Sequence, residues 1–450
     1  MTAVPTIQKT ILLFGAGKSA TILIRKILEH SIENNRKLIV IDANLELAIS
    51  KTQRHPNSQA ISFDIHHETE RHKWIALSDI VISMLPPALH SLVALDCIRF
   101  KKNLLTASYL DETIKQYANT IQQKGLLFLY EMGLDPGIDH MSAMHLINKI
   151  KEDGGIIHSF KSHCGGLVAL ESDNNPWHYK ISWNPTNVVY AGKSGAEYKS
   201  NHEHIHIDYT EIFKDCPTVE VPGIGRLSCY PNRDSLSYMP LYGLEDTSNF
   251  IRTTLRYPAF CIGWNAIIMA GLTDSNPNSI HQKFQGQPLS AWLNACLNFY
   301  TKTEHFDAFL KKMVIPNHQN IVSTLFNFLG LTSNEPVPRD KNSGAEIIQY
   351  LLETRLALLP EDKDMIVMLH EIEYQKGMQS KFIKSHLIVN GDDSLATAMA
   401  KTVGLPLFIA CELILNGQIS LVGLRVPVVK EIYEPVLYLL EKQGIKFTEI

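Results

Sequence analysis

The residues ILLFGAGKSATILIRKIL at positions 11–28 decide the fold class. A continuous apolar run leads into a glycine turn and then into an apolar-periodic stretch, which is the order of a buried parallel strand, a tight turn and a helix. Gly15 and Gly17 fit the pattern G-x-G-x-x-[GA], with Ala20 in the last place. Because glycine lacks a Cβ, backbone amides and a helix N-terminus can approach a pyrophosphate there. We therefore predict a dinucleotide-binding loop at Gly15, Ala16, Gly17 and Lys18.

An acidic residue after the second predicted strand supports this interpretation over a plain structural turn. Leu38–Ile41 is apolar and ends in Asp42, about twenty residues beyond the loop, where a carboxylate can accept both ribose hydroxyls. The same carboxylate would repel a 2′-phosphate, and no arginine follows it directly. The sequence therefore favours NAD as the cofactor, with NADP kept as the alternative.

The alternation of strand-like and helix-like segments continues through four further apolar runs, Ala60–Phe63, Ile80–Met84, Leu104–Thr106 and Leu126–Tyr130. Six strands in this rhythm predict an α/β fold with a Rossmann-like, doubly wound parallel sheet. Ligands of such a sheet gather at the carboxyl ends of its strands. We therefore expect cofactor and substrate contacts among the strand ends, which are Gly15-Ala16-Gly17, Asp42, Asp64, Leu85-Pro86-Pro87, Ala107-Ser108-Tyr109 and Glu131–Pro136.

The composition excludes several classes of partner. The formal net charge is −4 and the isoelectric point is near 6.5, so we expect no binding of nucleic acid or of an anionic membrane, both of which need a cationic surface. Seven scattered cysteines include no CxxC pair, which predicts neither a disulfide framework nor a zinc ribbon. The N-terminus lacks an apolar signal core, and the most apolar later stretch, Leu405–Leu415, is short and interrupted by Glu412. We expect a cytoplasmic protein.

The stretch EMGLDPGIDHM (131–141) follows the sixth predicted strand. Pro136 fixes φ and Gly137 permits a sharp turn, so Asp135 should be held rigidly at the rim that carries the cofactor loop. A helix is expected to begin near Gly137–Asp139, with Asp139 as its N-cap. For Asp135 the rim position favours contact with a ligand over mere turn chemistry.

Several motifs resemble those of the saccharopine reductases, the L-glutamate-forming saccharopine dehydrogenases. They are GLDPGIDH (133–140), SHCGGLVALESDNNPWHYKISWNP (162–185), YPNRDS (230–235) and TLRYPAF (254–260). The resemblance runs in order across nearly all of the chain. It implies oxidation of saccharopine to an imine that water splits into glutamate and 2-aminoadipate semialdehyde, or the reverse condensation. It also implies a homodimer with the oligomer interface on a second sheet.

The resemblance also assigns site residues. It places the dinucleotide at the glycine loop, Leu85-Pro86, Ala107-Ser108 and Leu134–Pro136. Asn184 stands where relatives have a serine near the nicotinamide, and Asp42 stands where fungal, NADP-using members tend to have a basic residue. The implied substrate contacts are Ser108, Tyr109, Asp135, Arg233, Thr254, Leu255 and Arg256. The implied participants in the chemistry are Tyr109, Asp135 and Cys164.

These residue types suit the implied reaction. Saccharopine carries three carboxylates, which Arg233 and Arg256 could grip bidentately. Hydride can leave carbon only after the neighbouring amine has lost its proton, and Asp135 or Tyr109 could accept or relay that proton. Cys164 could belong to the same proton network or be a packed thiol, since free cysteine is often buried.

The rest of the chain predicts a second α/β domain with a mainly antiparallel sheet. Its expected strands are Ile156–Cys164, Ile181–Trp183, Val188–Tyr190, Ile205–Tyr209 and a hairpin across QKGMQ (375–379). Residues 286–358 are helical in period and predict an inserted all-α subdomain. The expected domains are 1–137 completed by 395–450, then 138–285 with 359–394, and the insertion.

Two alternatives and one distraction remain. A carboxynorspermidine-type dehydrogenase would need acidic residues for a diamine, where this chain has arginines. A catalytically idle nucleotide sensor would not need Tyr109, Asp135 and both arginines together. In a strand, the stretch HEHIHID (202–208) would place His202, His204, His206 and Asp208 on one face, as a metal-binding site requires. Such a pattern is more often the solvent-exposed face of an amphipathic strand. We predict no metal.

Overall fold

The computed structural model describes residues 8–277 and 279–450, which fold into two compact units. The first unit comprises Met1–Gly155 and Leu395–Phe447, and the second comprises Ile156–Ser394 and Thr448–Ile450. The first unit is therefore built from two separate parts of the sequence.

The N-terminal part of the first unit alternates strands and helices. Its strands are β1 (Lys9–Phe14), β2 (Arg36–Asp42), β3 (Ser58–Ser62), β4 (Ile80–Ser83), β5 (Asn103–Thr106) and β6 (Leu127–Leu129). Its helices are α1 (Thr21–Glu29), α2 (Leu45–Thr52), α3 (Glu68–Leu77), α4 (His90–Phe100), α5 (Glu112–Lys115), α6 (Ala118–Gln123) and α7 (Ile138–Glu152).

The second unit begins with a strand-rich half and continues with helices. Its strands are β7 (Ile156–Val168), β8 (Ala196–Ser200), β9 (Glu203–Ile207), β10 (Thr218–Val221), β11 (Gly225–Pro231), β12 (Arg233–Asp234), β13 (Asn249–Arg256), β14 (Asp364–Lys376) and β15 (Gln379–Asn390). Its helices are α8 (Pro185–Val189), α9 (Met239–Tyr242), α10 (Pro258–Met269), α11 (Ser279–Lys283), α12 (Leu289–Thr301), α13 (Phe306–Met313), α14 (Pro316–Phe328) and α15 (Gly344–Arg355).

The last part of the chain contributes to both units. It forms α16 (Ala398–Leu415), β16 (Gly423–Arg425), α17 (Lys430–Lys442) and β17 (Thr448–Glu449). The first three elements belong to the first unit, whereas β17 pairs with β15 in the second. The expected return of the tail to the first domain therefore ends before the last three residues.

The predicted Rossmann-like sheet is confirmed. Its strand order is β16-β6-β5-β4-β1-β2-β3, and every neighbouring pair is parallel. The central strands are uninterrupted apolar runs because helices cover both faces of such a sheet, and Ile11–Phe14 is fully buried. The seventh strand, β16, was not predicted. Its three residues Gly423–Arg425 are too few to give a recognisable period.

Helix α16 is longer than the apolar stretch Leu405–Leu415 that stood out in the sequence. It spans 18 residues, with a mean hydropathy of 1.7 that would suit a membrane span by length and composition, but 72% of it is buried inside the structure. Its one acid, Glu412, accepts hydrogen bonds from the Arg36 guanidinium at 3.0 Å and from Asn34 at 3.0 Å. A buried ion pair with further hydrogen bonds explains how a carboxylate is accommodated in this apolar helix.

Helix α7 falls in the first unit, although we expected residues from 138 onward in the second domain. It packs against α17, and Asn148 Nδ2 donates to the Tyr433 hydroxyl at 2.7 Å. Partners separated by nearly 300 residues give no local signal in the sequence.

The second sheet is mixed and mainly antiparallel. It runs β10-β11-β13-β7-β14-β15-β17, with β8, β9 and β12 beside it. The β7–β13 and β12–β8 pairs are parallel, and the predicted β14–β15 hairpin is present. The strand predictions at Val188–Tyr190 and Ile181–Trp183 are wrong. Pro185–Val189 forms a helix, and Ile181 makes a single bridge to Ala357.

The helical insertion is confirmed by α12 to α15. The histidine stripe lies around β9, where His206 is hydrogen-bonded to Glu197 at 3.3 Å and Asp208 at 3.2 Å. Within residues 8–277 and 279–450, no group of three or more His, Cys, Asp or Glu side chains could hold a metal ion.

Candidate active site

The glycine loop of the first unit has the geometry of a dinucleotide cradle. Gly15 adopts φ +98°, and a Cβ there would lie 2.7 Å from the Met84 carbonyl oxygen, so no other residue fits. A Cβ added at Gly17 would meet nothing within 4 Å. The backbone therefore excludes a side chain at the first glycine, while the space beside the second stays open for a ligand.

Asp42 is tied to this loop, as its position after β2 predicted. Its Oδ2 accepts a hydrogen bond from the Ala16 amide at 2.8 Å, and its Oδ1 accepts one from the Asn44 amide at 2.9 Å. Each carboxylate oxygen keeps a lone pair beyond these bonds, which suits it to accept from a ribose hydroxyl.

A second cation beside the loop was missed by the sequence reasoning. Lys18 is exposed, and Lys51 Nζ donates to Thr21 Oγ1 at 2.6 Å at the start of α1. Burial, together with the charge of Lys18, lowers the pKa of Lys51. Two ammonium groups near one loop favour binding of an anion there.

The other predicted cofactor residues of the first unit lie at the same carboxyl edge. The Met84 amide donates to the Phe14 carbonyl at 2.8 Å, which places the Leu85-Pro86 turn beside the glycine loop. Asp64 is exposed and accepts from the His66 amide at 2.9 Å. Its visible role is therefore to close a turn.

Tyr109 and Asp135 are brought together, as the proposed proton chemistry requires. The Tyr109 hydroxyl donates to Asp135 Oδ1 at 3.2 Å. The segment around Asp135 closes on itself, since the Gly133 amide donates to the Pro136 carbonyl at 3.0 Å. At Gly137, with φ +147°, a Cβ would fall 2.0 Å from the Gly133 carbonyl oxygen. This turn holds Asp135 rigidly, as predicted.

The prediction that Asp139 caps the following helix is wrong. Helix α7 begins at Ile138, its N-cap is Gly137, and no side chain caps it. Asp139 instead lies inside the first turn, where its Oδ1 accepts from the Gly137 amide at 2.6 Å. The turn of the preceding residues brings that amide back toward Asp139.

A buried acid and histidine beneath this turn were also missed. Glu131 is 3% exposed and has φ +59°, a conformation that non-glycine residues adopt mostly where the surroundings enforce it. Its Oε1 accepts from the Leu110 amide at 3.1 Å, and its Oε2 is hydrogen-bonded to His140 Nε2 at 2.8 Å. Glu131 therefore braces the residue that follows Tyr109. A charged residue directly after a fully apolar strand was the available signal.

Ser108 is held by a histidine that the sequence did not single out. His90 Nε2 lies 2.6 Å from Ser108 Oγ, and His90 Nδ1 lies 2.8 Å from Ser83 Oγ. Burial lowers the pKa of His90 to about 4, although Asp111 acts in the opposite direction. His90 is therefore neutral at physiological pH.

In the second unit, the sheet brings Cys164, Thr254 and Arg256 to one face. Cys164 in β7 pairs with Thr254 in β13, and Arg256 follows two positions later on the same strand. Because side chains alternate along a strand, these three share one face, which we call the Cys164 face. The three predictions therefore converge in space.

Arg256 is a buried cation without a carboxylate partner among the described residues. It is 4% exposed, its Nη1 donates to the carbonyls of Gly166 at 3.3 Å and Leu255 at 2.8 Å, and its Nε has no acceptor. Its guanidinium carbon lies 5.1 Å from the Tyr179 ring centre. Burial raises the pKa of Tyr230 to about 12, although Arg256 opposes the rise. These phenols stay neutral and leave the guanidinium charge uncompensated.

Three other predicted contacts of this unit are not part of that cluster. The Leu255 side chain is fully buried in the core of the opposite face, so only its backbone could contact a substrate. Arg233 is exposed and lies in β12, which pairs with β8 and not with the strand that carries Arg256. Asn184 is the N-cap of α8, where its side-chain oxygen accepts from the Thr186 amide at 3.0 Å.

A cavity of about 770 Å³ lies elsewhere in the second unit. It is lined by His163, Thr253 and Glu371, among others, and by none of the predicted substrate residues. Since His163 precedes Cys164 in β7, the cavity lies on the opposite face of the sheet.

Comparisons with known proteins give one consistent family. The model of the saccharopine dehydrogenase NADP binding domain matches residues 11–129, and that of the saccharopine dehydrogenase C-terminal domain matches residues 133–445. The chain is 35% identical over 409 residues to the alpha-aminoadipic semialdehyde synthase of Arabidopsis thaliana, covering 87% of this chain and 38% of that protein. It is 33% identical to the mitochondrial synthase of Bos taurus, covering 98% and 48%. The chain thus spans less than half the length of these synthases.

A third relative matches end to end. The saccharopine dehydrogenase [NADP(+), L-glutamate-forming] of Saccharomyces cerevisiae is 31% identical over 454 residues, covering 98% of this chain and 99% of that protein. The apo structure of the saccharopine dehydrogenase (L-Glu forming) from Saccharomyces cerevisiae superposes with a TM-score of 0.87 at 27% identity, covering 98% and 100%.

Proposed function

Because the chain belongs to the saccharopine dehydrogenase family, we propose that it interconverts saccharopine, NAD(P)⁺ and water with L-glutamate, 2-aminoadipate 6-semialdehyde and NAD(P)H. The reaction would serve lysine metabolism. The relatives do not favour the polyamine or the sensor alternative. The observation within the structure that carries the proposal is the uncompensated charge of Arg256.

A buried guanidinium with no acid beside it is unfavourable unless a ligand supplies the anion. Saccharopine offers three carboxylates, and the Arg256 fork can bind one of them with two parallel hydrogen bonds. The buried Nε donor has no acceptor among the described residues, and a substrate carboxylate would supply one. A diamine would place a cation against this arginine and be rejected.

Tyr109 and Asp135 would move the proton that precedes hydride transfer. The substrate amine is protonated at neutral pH, and it must lose that proton before its lone pair can assist departure of the hydride. The Asp135 carboxylate, bonded to the Tyr109 hydroxyl at 3.2 Å, can accept the proton directly or through the phenol. A nicotinamide dinucleotide held at the glycine loop supplies the hydride acceptor. The same pair can serve the later addition of water to the imine.

Cofactor choice rests on opposing features. The family of the first domain, an NADP binding domain, and the NADP(+)-dependent yeast relative favour NADP, and Lys18 with Lys51 would attract a phosphate. Asp42 occupies the position where a carboxylate would repel a 2′-phosphate, and backbone amides already orient it. We propose that this chain accepts NAD in preference, because Asp42 is hydrogen-bonded to the glycine loop and would repel a 2′-phosphate of a dinucleotide bound there.

We further propose a cytoplasmic homodimer. The tip of the β14–β15 hairpin exposes Met378 completely and Phe382 to 51%, and exposed apolar side chains of this kind support association. Within residues 8–277 and 279–450 the seven cysteines form no disulfide, which suits a reducing compartment. Light scattering during size-exclusion chromatography and cell fractionation test these two statements.

The direct test is formation of reduced nicotinamide from saccharopine with each cofactor, with glutamate and the semialdehyde identified by mass spectrometry. The control replaces saccharopine by a carboxynorspermidine-type secondary amine. Turnover of the control substrate alone would refute the proposal, as would a folded protein that turns over neither.

A further inference from the structure

Ser83, His90 and Ser108 form a hydrogen-bonded chain that ends at a predicted ligand-binding residue. His90 is 1% exposed at the start of α4, and Ser83 is fully buried at the end of β4. The two contacts, 2.8 Å to Ser83 and 2.6 Å to Ser108, use both ring nitrogens of His90. Ser108 itself is only half-buried, so the chain runs from the core to an accessible hydroxyl.

The direction of this chain follows from counting donors. A neutral imidazole has one N–H and one acceptor nitrogen. Among the described residues the Ser83 hydroxyl has no other hydrogen-bond partner, and a buried donor left unbonded is costly. Ser83 must therefore donate to His90 Nδ1, and the proton of the ring then lies on Nε2. His90 Nε2–H donates to Ser108 Oγ.

We propose that His90 is a positioning residue that turns the Ser108 hydroxyl into a hydrogen-bond donor for an oxygen acceptor of the bound ligands. Ser108 Oγ receives the histidine proton, so its own O–H points away from His90. The acceptor is either a carboxylate of the substrate or the carboxamide oxygen of the nicotinamide. This assignment deepens the proposed function and rests on it for the identity of the ligand.

The same count excludes a nucleophilic role for Ser108. A serine nucleophile needs a base that accepts its proton, whereas Nε2 of His90 already carries one. The depressed pKa of His90, about 4, also makes the ring a weak base. His90 therefore orients Ser108 without exchanging a proton with it.

The orientation is tested without catalysis by two-dimensional ¹H–¹⁵N correlation of the protein labelled in its histidines. Loss of signals in His90→Gln identifies those of His90. We expect the Nε2–H tautomer at neutral pH, with no titration until the pH approaches 4. An Nδ1–H tautomer, or a charged ring at neutral pH, overturns the inference whether or not saccharopine is the substrate.

The consequence for binding is tested with Ser83→Ala, which removes the group that fixes the tautomer. The matched control is Ser78→Ala, since Ser78 is also buried in this unit and, within the part of the chain that the structure describes, its hydroxyl donates only to the Ile75 carbonyl. We expect Ser83→Ala to weaken ligand binding about fivefold to tenfold, the worth of one neutral hydrogen bond, and the control to leave it unchanged.

Measuring the Kd of the dinucleotide and the KM for saccharopine separately identifies which oxygen accepts the hydrogen bond from Ser108. A raised Kd for the dinucleotide alone points to the carboxamide, and a raised KM for saccharopine with an unchanged dinucleotide Kd points to the carboxylate. His90→Leu and Ser108→Ala should not add, because both remove one shared bond. Unchanged ligand-binding constants in Ser83→Ala would refute the positioning role of His90. So would a double variant, His90→Leu with Ser108→Ala, whose loss of binding equals the product of the two single losses. If the tautomer and the dinucleotide Kd are as expected but saccharopine is not turned over, only the proposed substrate is refuted.

Discussion

Replacing Arg256 by methionine distinguishes a substrate-binding role of this arginine from a structural role. Methionine keeps much of the apolar volume but removes the charge and the donors. Because no carboxylate partners Arg256 among the described residues, the folded protein carries an uncompensated buried cation. The bound substrate would supply the missing anion. The variant should therefore lose binding without losing stability.

The magnitude follows from the contacts. Loss of a charge-assisted pair in a closed site is worth roughly 1.5–3 kcal/mol, so KM for saccharopine should rise about tenfold to a hundredfold. The fold loses two backbone hydrogen bonds and the stacking on Tyr179 and Phe260, about 1–2 kcal/mol each. Removing the desolvated charge offsets this by a similar amount. We therefore expect Tm to change little.

The assay combines steady-state kinetics with thermal unfolding and with dinucleotide affinity, which should stay constant. Arg252→Met is the matched control, since Arg252 is 3% exposed, lies on the same strand and stacks 4.5 Å from the Tyr238 ring. The control should keep KM. An unchanged KM in Arg256→Met would refute the reasoning. So would a large fall in Tm, because that would mean that the charge is compensated within the fold.

Three further predictions concern other residues. Asp135→Asn keeps the shape of the turn but removes the charge, so kcat should fall by ~10²–10⁴ and the pH–rate profile should lose or shift a limb; a normal kcat and profile would reduce Asp135 to a turn residue. Asp42→Ser should narrow the preference for NAD by relieving repulsion of a 2′-phosphate, and a tenfold preference of the wild type for NADP, measured as kcat/KM, would contradict the premise. For Glu371, burial would raise the pKa, but hydrogen bonds from His163 and Lys384 outweigh it and lower the pKa to about 2. This depressed pKa stabilises the fold above about pH 4.5, and the contribution is lost as the pH falls toward 2. Between about pH 4.5 and pH 2, the free energy of unfolding in urea should fall by about 1–2 kcal/mol more for the wild type than for Glu371→Gln, after allowance for solvent screening. Equal falls would disprove the contribution of the Glu371 carboxylate to stability.

The fold of the first unit was accessible from the sequence because its determinants are local. Each central strand is one apolar run, and the glycine turn and Asp42 stand at fixed spacing from it. The failure at Val188–Tyr190 shows the limit of this reasoning. Two β-branched residues suggested a strand, but Asn184 and Pro185 start a helix that overrides that preference.

The candidate site was predictable at the level of positions but not of partners. Asp135 was singled out because it follows a strand at the rim of the sheet, and Tyr109, which also follows a strand, was assigned by the family resemblance. The hydrogen bonds that join His90 to Ser83 and Ser108 depend on how β4, α4 and the segment after β5 meet, which no local pattern encodes. Among the residues that the structure describes, none supplies an acid beside Arg256. This is likewise a property of the packed unit, and it is the feature that says most about the ligand.

The divided first unit has a consequence for synthesis on the ribosome. Until residues 423–425 emerge, strand β6 lacks the neighbour that completes its side of the sheet. Until residue 412 emerges, Arg36 lacks the carboxylate that neutralises it. The nascent chain therefore carries an open sheet edge and an unpaired charge while the whole intervening unit is translated. Completion of the nucleotide fold therefore awaits translation of residues 412–425, and we expect molecular chaperones to bind the nascent chain at that β6 edge.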